Sequence, residues 1–197
     1  MGLEIILTTV LALIIILIIL FYFGYTTYNV VYVKSDIDNQ LYLVRDLPDK
    51  QYASNMLARI KKNIMDLNNY LATNKDNYKE YQTYIDQLSE KVPYIVIMES
   101  TEDSAYTSYS VNKGEQIVFC IRSRRHKNEI HDLNLMMYVV LHELSHVACP
   151  EYGHTSLFKK IFAFITNTAI SLDMYKKIDF IDNPLEYCGL TITDSIV

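Results

Sequence analysis

The sequence predicts an α+β chain: a compact domain, with a short antiparallel sheet and an HExxH helix, preceded by an N-terminal transmembrane helix and a helical hairpin. Three observations predict it. Ile5–Phe23 carries no charge. Tyr52, Met56, Ile60, Ile64, Leu67 and Leu71 recur at three- and four-residue steps, the spacing of one helical face. His142-Glu143-Leu144-Ser145-His146 sets two histidines one helical turn apart.

The elements follow in order. As a helix, Ile5–Phe23 would extend about 28 Å at ~1.5 Å per residue, close to a ~30 Å hydrocarbon core. Tyr22, Tyr25, Tyr28 and Tyr32 follow it as boundary aromatics. No basic residue precedes the run and no small-x-small site follows, so a single-pass anchor over residues 1–23 is expected rather than a cleaved leader. A stem, 24–49, ends at Leu47-Pro48-Asp49, where Asp49 can cap a helix. The helical hairpin occupies 50–91 and turns at Asn74-Lys75-Asp76-Asn77.

The domain that carries the HExxH helix is expected over 92–197. Tyr94–Met98 is a β-branched run suited to a strand, and Asn112-Lys113-Gly114 between Tyr106–Val111 and Ile117–Arg122 signals a β-hairpin. Asp132 can cap a helix from Leu133 to about Val147, and another helix follows from about Ser156 to Leu172. The chain has 197 residues and a net charge of −5, which offers no electrostatic argument for nucleic-acid binding. Arg122, Arg124, Arg125, His126 and Lys127 form a basic cluster, read as a solvated loop. Three cysteines, Cys120, Cys149 and Cys188, are odd in number and imply no disulfide framework.

The chemistry lies in the HExxH segment. His142 and His146 stand about 40° apart on one helical face at 3.6 residues per turn, so both imidazoles can reach one Zn²⁺ at ~2.0–2.1 Å. Leu133, Met137, Val140, Leu144 and Ala148 fall on the opposite, core-facing side. A catalytic tetrahedral site needs a third protein ligand and an open position. Pro150 ends the helix, Gly153 can take positive φ, and His154 then turns back towards the pair. Glu151, Asp173 and Cys188 are the alternatives; Glu151 is too close to turn back easily and the other two are distant. Glu143 stands beside the pair, placed to serve as general base for a zinc-activated water and then to protonate the leaving amine. The Ile117–Ile121 strand is the candidate edge for an extended peptide substrate, and Tyr187 and Arg122 are candidate oxyanion donors.

At HELSH (142–146), GHTSLF (153–158) and the tail NPLEYCGLTITDS (183–195), the sequence resembles the WLM group of zinc metallopeptidases, relatives of SprT-like and minimal gluzincin proteins. SVNKGEQIVFCIR (110–122) and LARIKKNIMDLNNYL (57–71) are similar to the version encoded by nucleocytoplasmic large DNA viruses. The resemblance implies Zn²⁺ on His142, His146 and His154, with Glu143 catalytic. Metzincins would have Gly at 149 and a ligand at 152, where this chain has Cys149 and Tyr152. No basic tail follows the domain, so a DNA-repair role does not carry over. The expectation is a membrane-anchored zinc metalloendopeptidase of viral type, contacting the bilayer through 5–23 and a peptide substrate through its cleft. The alternative is a catalytically idle, membrane-tethered zinc-binding module that recruits a partner.

Overall fold

The computed structural model of the chain describes residues 2–25, 29–126 and 129–197, without the side chains at 3 and 21–25. Its helices are α1 (Gly2–Tyr25), α2 (Lys50–Thr73), α3 (Gln82–Lys91), α4 (Leu133–Ala148) and α5 (Ser156–Ser171). Its strands are β1 (Val30–Lys34), β2 (Leu41–Arg45), β3 (Val96–Glu99), β4 (Tyr109–Val111), β5 (Gln116–Phe119), β6 (Leu185–Tyr187) and β7 (Leu190–Ile192). The α+β class holds; the membrane-spanning part of the expectation does not.

Among the described residues no helix is long and apolar enough to cross a membrane. That overturns both the predicted transmembrane helix and the single-pass membrane location. Thr8 and Thr9 donate back to carbonyls of their own helix, Thr9 to Ile5 at 2.8 Å. Phe23 at the end of the predicted span and the boundary aromatics Tyr22, Tyr25 and Tyr28 lie outside the described side chains. Tyr32 is an exposed residue of β1.

The stretch read as a stem contains an antiparallel hairpin, with Val30 opposite Arg45 and Lys34 opposite Leu41. The apolar stripe of α2 does what its spacing predicts from Met56 onward: Met56, Ile60, Ile64, Leu67 and Leu71 are buried. Tyr52, at the start of the stripe, is exposed. Asp49 stands at the N-cap of α2 without capping it. Its carboxylate instead accepts from Arg122 Nη1 at 2.6 Å, and Arg122 Nε donates to Glu99 at 2.6 Å. Glu99 also accepts the backbone N–H of Arg45 at 2.8 Å. Arg122 and Glu99 are buried while Asp49 is half-exposed, and the group ties β2, β3 and the residues after β5 together.

The main sheet has the order β3-β5-β4, with β3 parallel and β4 antiparallel to β5. The sheet is therefore mixed, and β5 lies at its centre rather than at an edge; β3 and β4 are its edge strands. The reason is non-local: Val96 pairs with Gln116, a partner that no turn signal announces. Helix α4 is likewise more enclosed than a one-faced reading predicts. Beyond Met137, Val140, Leu144 and Ala148, it buries Met136, Leu141 and Val147, because α2, α3 and α5 all pack on it. Asp132 caps it, accepting the N–H of Asn134 at 2.7 Å.

Candidate metal centre and cleft

His142 and His146 project from the last half of α4, and His154 precedes Thr155, the N-cap of α5. Their Nε2 atoms form a triangle with sides of 3.2, 3.2 and 3.0 Å. Each neutral imidazole has one N–H at most, so three ring nitrogens aimed at one point crowd lone pairs together. A cation at that point removes the conflict. The triangle is close to the ~3.3 Å edge of a tetrahedron built on ~2.0–2.1 Å Zn–N bonds. Three neutral imidazoles with one open side are a donor set suited to Zn²⁺.

Local sequence explains the convergence. Helix α4 stops at Cys149-Pro150, Gly153 takes φ +77°, and Thr155 restarts the chain as helix by accepting the N–H of Phe158 at 3.2 Å. Phe158 then lies beneath the triad, stacked on His146 with centroids 4.1 Å apart and edge-on to His142 at 5.1 Å. Phe162 meets His142 edge-on at 5.2 Å. This aromatic floor restricts the ring orientations. Burial first, then the neighbouring imidazoles, push His142 down to about 3. Burial, His154 and Lys113 push His146 down to about 4. Both rings are therefore neutral and able to act as ligands near neutral pH.

Lys113 locks the turn from outside. It sits at φ 51° in the loop between β4 and β5, and its ammonium donates to the carbonyls of Cys149, Pro150 and Glu151 at 2.8, 2.7 and 2.9 Å. All three of its N–H donors are thereby used. Its charge also complements the carbonyl end of α4 and lies 4.2 Å from the Tyr152 ring centre.

Glu143 is buried and lines the same cleft of about 600 Å³ as the three histidines. Burial raises its carboxyl to about 7. The rest of the lining includes Tyr138 and Val139, earlier on α4, and Ser108, Tyr187 and Ile192 from outside that helix. Tyr187 ends β6, and Cys188-Gly189 forms a two-residue turn to β7 with φ of 50° and 86°. Two positive φ values match a type I′ hairpin. A disulfide joins Cys188 to Cys120, which follows β5. The N–H of Cys188 donates to His131 Nε2 at 3.2 Å, and Arg125 donates to the Gly189 carbonyl at 2.6 Å.

The structure brings His142, Glu143, His146 and His154 together. It does not bring the alternative ligands to them: Cys188 is in the disulfide, Glu151 accepts from Thr155, and Asp173 lies beyond the far end of α5. Of the candidate oxyanion donors, Tyr187 lines the cleft and Arg122 does not; Arg122 belongs to the buried ion cluster. The basic loop is structural in part, because Arg124 and Arg125 fasten backbone carbonyls; Lys127 lies outside the described residues. Sequence reasoning missed the Phe158 floor, the Lys113 latch and the disulfide. Phe158 was visible only as a helix-face residue. A lysine beside a turn and an unpaired set of cysteines carry no partner information.

Among known proteins, the chain is 45% identical over 197 residues to the uncharacterized protein R325 of Acanthamoeba polyphaga mimivirus, covering 100% of both. It is 39% identical over 69 residues to the uncharacterized protein 136R of Invertebrate iridescent virus 6, covering 34% of this chain and 38% of that protein. A third similarity, 40% over 84 residues, is to the uncharacterized protein 042R of Invertebrate iridescent virus 3, covering 42% and 50% respectively. No family model and no solved structure matches the chain.

Proposed function

The chain belongs to the viral protein family that includes mimivirus R325, and we propose that it is a zinc metalloendopeptidase with Glu143 as general base. The observation that carries the reading is the convergence of three imidazole nitrogens with one buried carboxylate in a single open cleft. The WLM resemblance at 142–158 and 183–195 points the same way. His142, His146 and His154 would hold the metal, which when bound supplies a Lewis acid that acidifies water and polarises a carbonyl.

The chain's own residues supply the rest. Glu143 takes the proton of the attacking water and returns it to the departing amine, so no proton is lost to solvent between the two steps. The edge strand β4 lines the cleft through Tyr109 and Ser110, and its outward backbone groups can pair with an extended peptide. A structural zinc site closes its shell with a fourth protein ligand. Among the described residues the donor group consists of His142, His146 and His154, which line one cleft with Glu143.

Purified protein loaded with zinc is expected to cleave casein. Glu143→Gln should keep one zinc per chain and lose at least ~100-fold in rate. Retention of metal by a wild type that cleaves none of several unfolded proteins would overturn the peptidase reading in favour of a non-catalytic zinc module.

A further inference from the structure

Tyr187 lines the same cleft as the triad and is only 4% exposed. Building on the peptidase reading, we infer that Tyr187 is a catalytic residue: its phenol donates a hydrogen bond to the scissile carbonyl oxygen as that oxygen gains charge, with Ser108 as its positioning residue. The proton stays on Tyr187 throughout. The one proton that moves travels from water to Glu143 to the leaving amine.

The hydrogen-bond order around the phenol supports this role. Ser108 Oγ accepts the backbone N–H of Cys120 at 3.1 Å and also bonds the Tyr187 hydroxyl. A serine hydroxyl has one hydrogen and two lone pairs. With one lone pair taken by Cys120, Ser108 can give its hydrogen to Tyr187, which leaves the phenolic hydrogen free for the cleft. The chain from Cys120 N–H through Ser108 to Tyr187 then runs in one direction, and each bond polarises the next. Burial above all, with the Glu143 carboxylate adding to it, raises the phenol's pKa, so the group is present as a donor.

Two other donor groups in the cleft are already engaged. Lys113 spends its three N–H groups on carbonyls, and the Asn112 amide donates to Glu115 at 2.7 Å. Tyr187 is also held in place before substrate arrives. The Cys120–Cys188 disulfide, the bond from Cys188 N–H to His131 and the bond from Arg125 to Gly189 all fix the turn that follows it. A donor fixed in advance costs no reorganisation when charge develops, which is the condition for strong transition-state stabilisation.

The test uses the zinc-loaded full chain and a fluorogenic peptide that it cleaves. Tyr187→Phe should lower kcat by about 100-fold, the scale of one oxyanion donor. KM, zinc content and thermal midpoint should stay near wild type, as expected for an interaction made only in the transition state. Ser108→Ala should lose about 10-fold and Ser108→Thr should restore the rate, because only the hydroxyl is needed to orient the phenol. A phosphinic pseudopeptide, which mimics the tetrahedral centre, should bind Tyr187→Phe about 100-fold more weakly, while a product peptide binds it as it binds wild type. Unchanged kcat and phosphinate affinity in Tyr187→Phe would overturn the inference and leave the peptidase reading intact. A wild type that neither cleaves peptides nor binds the phosphinate would remove both.

Discussion

On one side of the cleft, His142, Glu143, His146 and His154 come from a single helix and the turn after it. The rest of the lining draws Ser108, Tyr187 and Ile192 from two stretches of chain distant from that helix. The first wall is arranged by helix geometry and a proline–glycine turn. The second depends on a disulfide, a buried histidine and arginine-to-carbonyl bonds. Local covalent geometry can thus encode a metal-binding arrangement, whereas the rest of the cleft has to be assembled from the fold.

That contrast can be broken one wall at a time. Removing a ligand should have the largest effect: His154→Ala is expected to weaken zinc binding by roughly 10²–10³-fold, about one ligand's share of a structural-zinc binding energy. Competition against a chromogenic chelator measures it, and an unchanged affinity would dissociate His154 from the metal. On the second wall, the paired change Cys120→Ser with Cys188→Ser should cost about 2–4 kcal/mol of stability. Zinc affinity should survive that change, because no ligand depends on the hairpin. Denaturant titration and the same chelator assay read the two quantities separately.

Two smaller changes probe how the walls are joined. At Gly114, φ is +107° and an added Cβ would lie 2.9 Å from Val147 Cγ1. Gly114→Ala should therefore destabilise the protein by about 1–3 kcal/mol, through backbone strain and overpacking against α4. Lys113→Met removes the latch on residues 149–151 while keeping the aliphatic stem. It should lower zinc affinity by about 10-fold, as loss of outer support does at other metal sites, with little change in helix content by circular dichroism.

The mildest effect concerns pH. Burial lowers the pKa of His131 against the opposing influence of Glu186, a backbone bond to Arg122 and Glu129, with His126 acting in the same direction as burial. Its neutral ring accepts the N–H of Cys188; a protonated ring could not. The unfolded chain therefore binds the proton more readily. The stability contributed by neutral His131 is fully present above its ordinary value of 6.5 and declines as pH falls below it. Thermal melts of zinc-loaded protein should show this decline, and His131→Gln, which can still accept from Cys188, should flatten it.

Much of the fold can be read along the chain because its signals are local. The stripe from Met56 to Leu71 buries as its spacing predicts, Asp132 caps α4, and Asn112–Gly114 turns between β4 and β5. Signals that need a distant partner were misleading. Asp49 has the composition of a cap but spends its carboxylate on Arg122, which lies 73 residues away in sequence. Ile117 and its neighbours resemble an edge strand from their own hairpin alone, and only pairing with β3 places them at the centre. The membrane-spanning expectation rested on an uncharged run. Among the described residues no helix is long and apolar enough to cross a membrane.

By itself the sequence determined the four-residue interval between His142 and His146, the helix that presents them, and the turn that can return His154. An α-helix repeats every 3.6 residues whatever surrounds it, so side-chain spacing there is set by chain position alone. Only the tertiary structure decided that the three Nε2 atoms meet over Phe158, that Lys113 holds the turn, and that Tyr187 shares their cleft beside Ser108. Those contacts join residues many positions apart. Which of the many possible closures is adopted depends on how α2, α4 and the sheet pack together, and no interval along the chain records that.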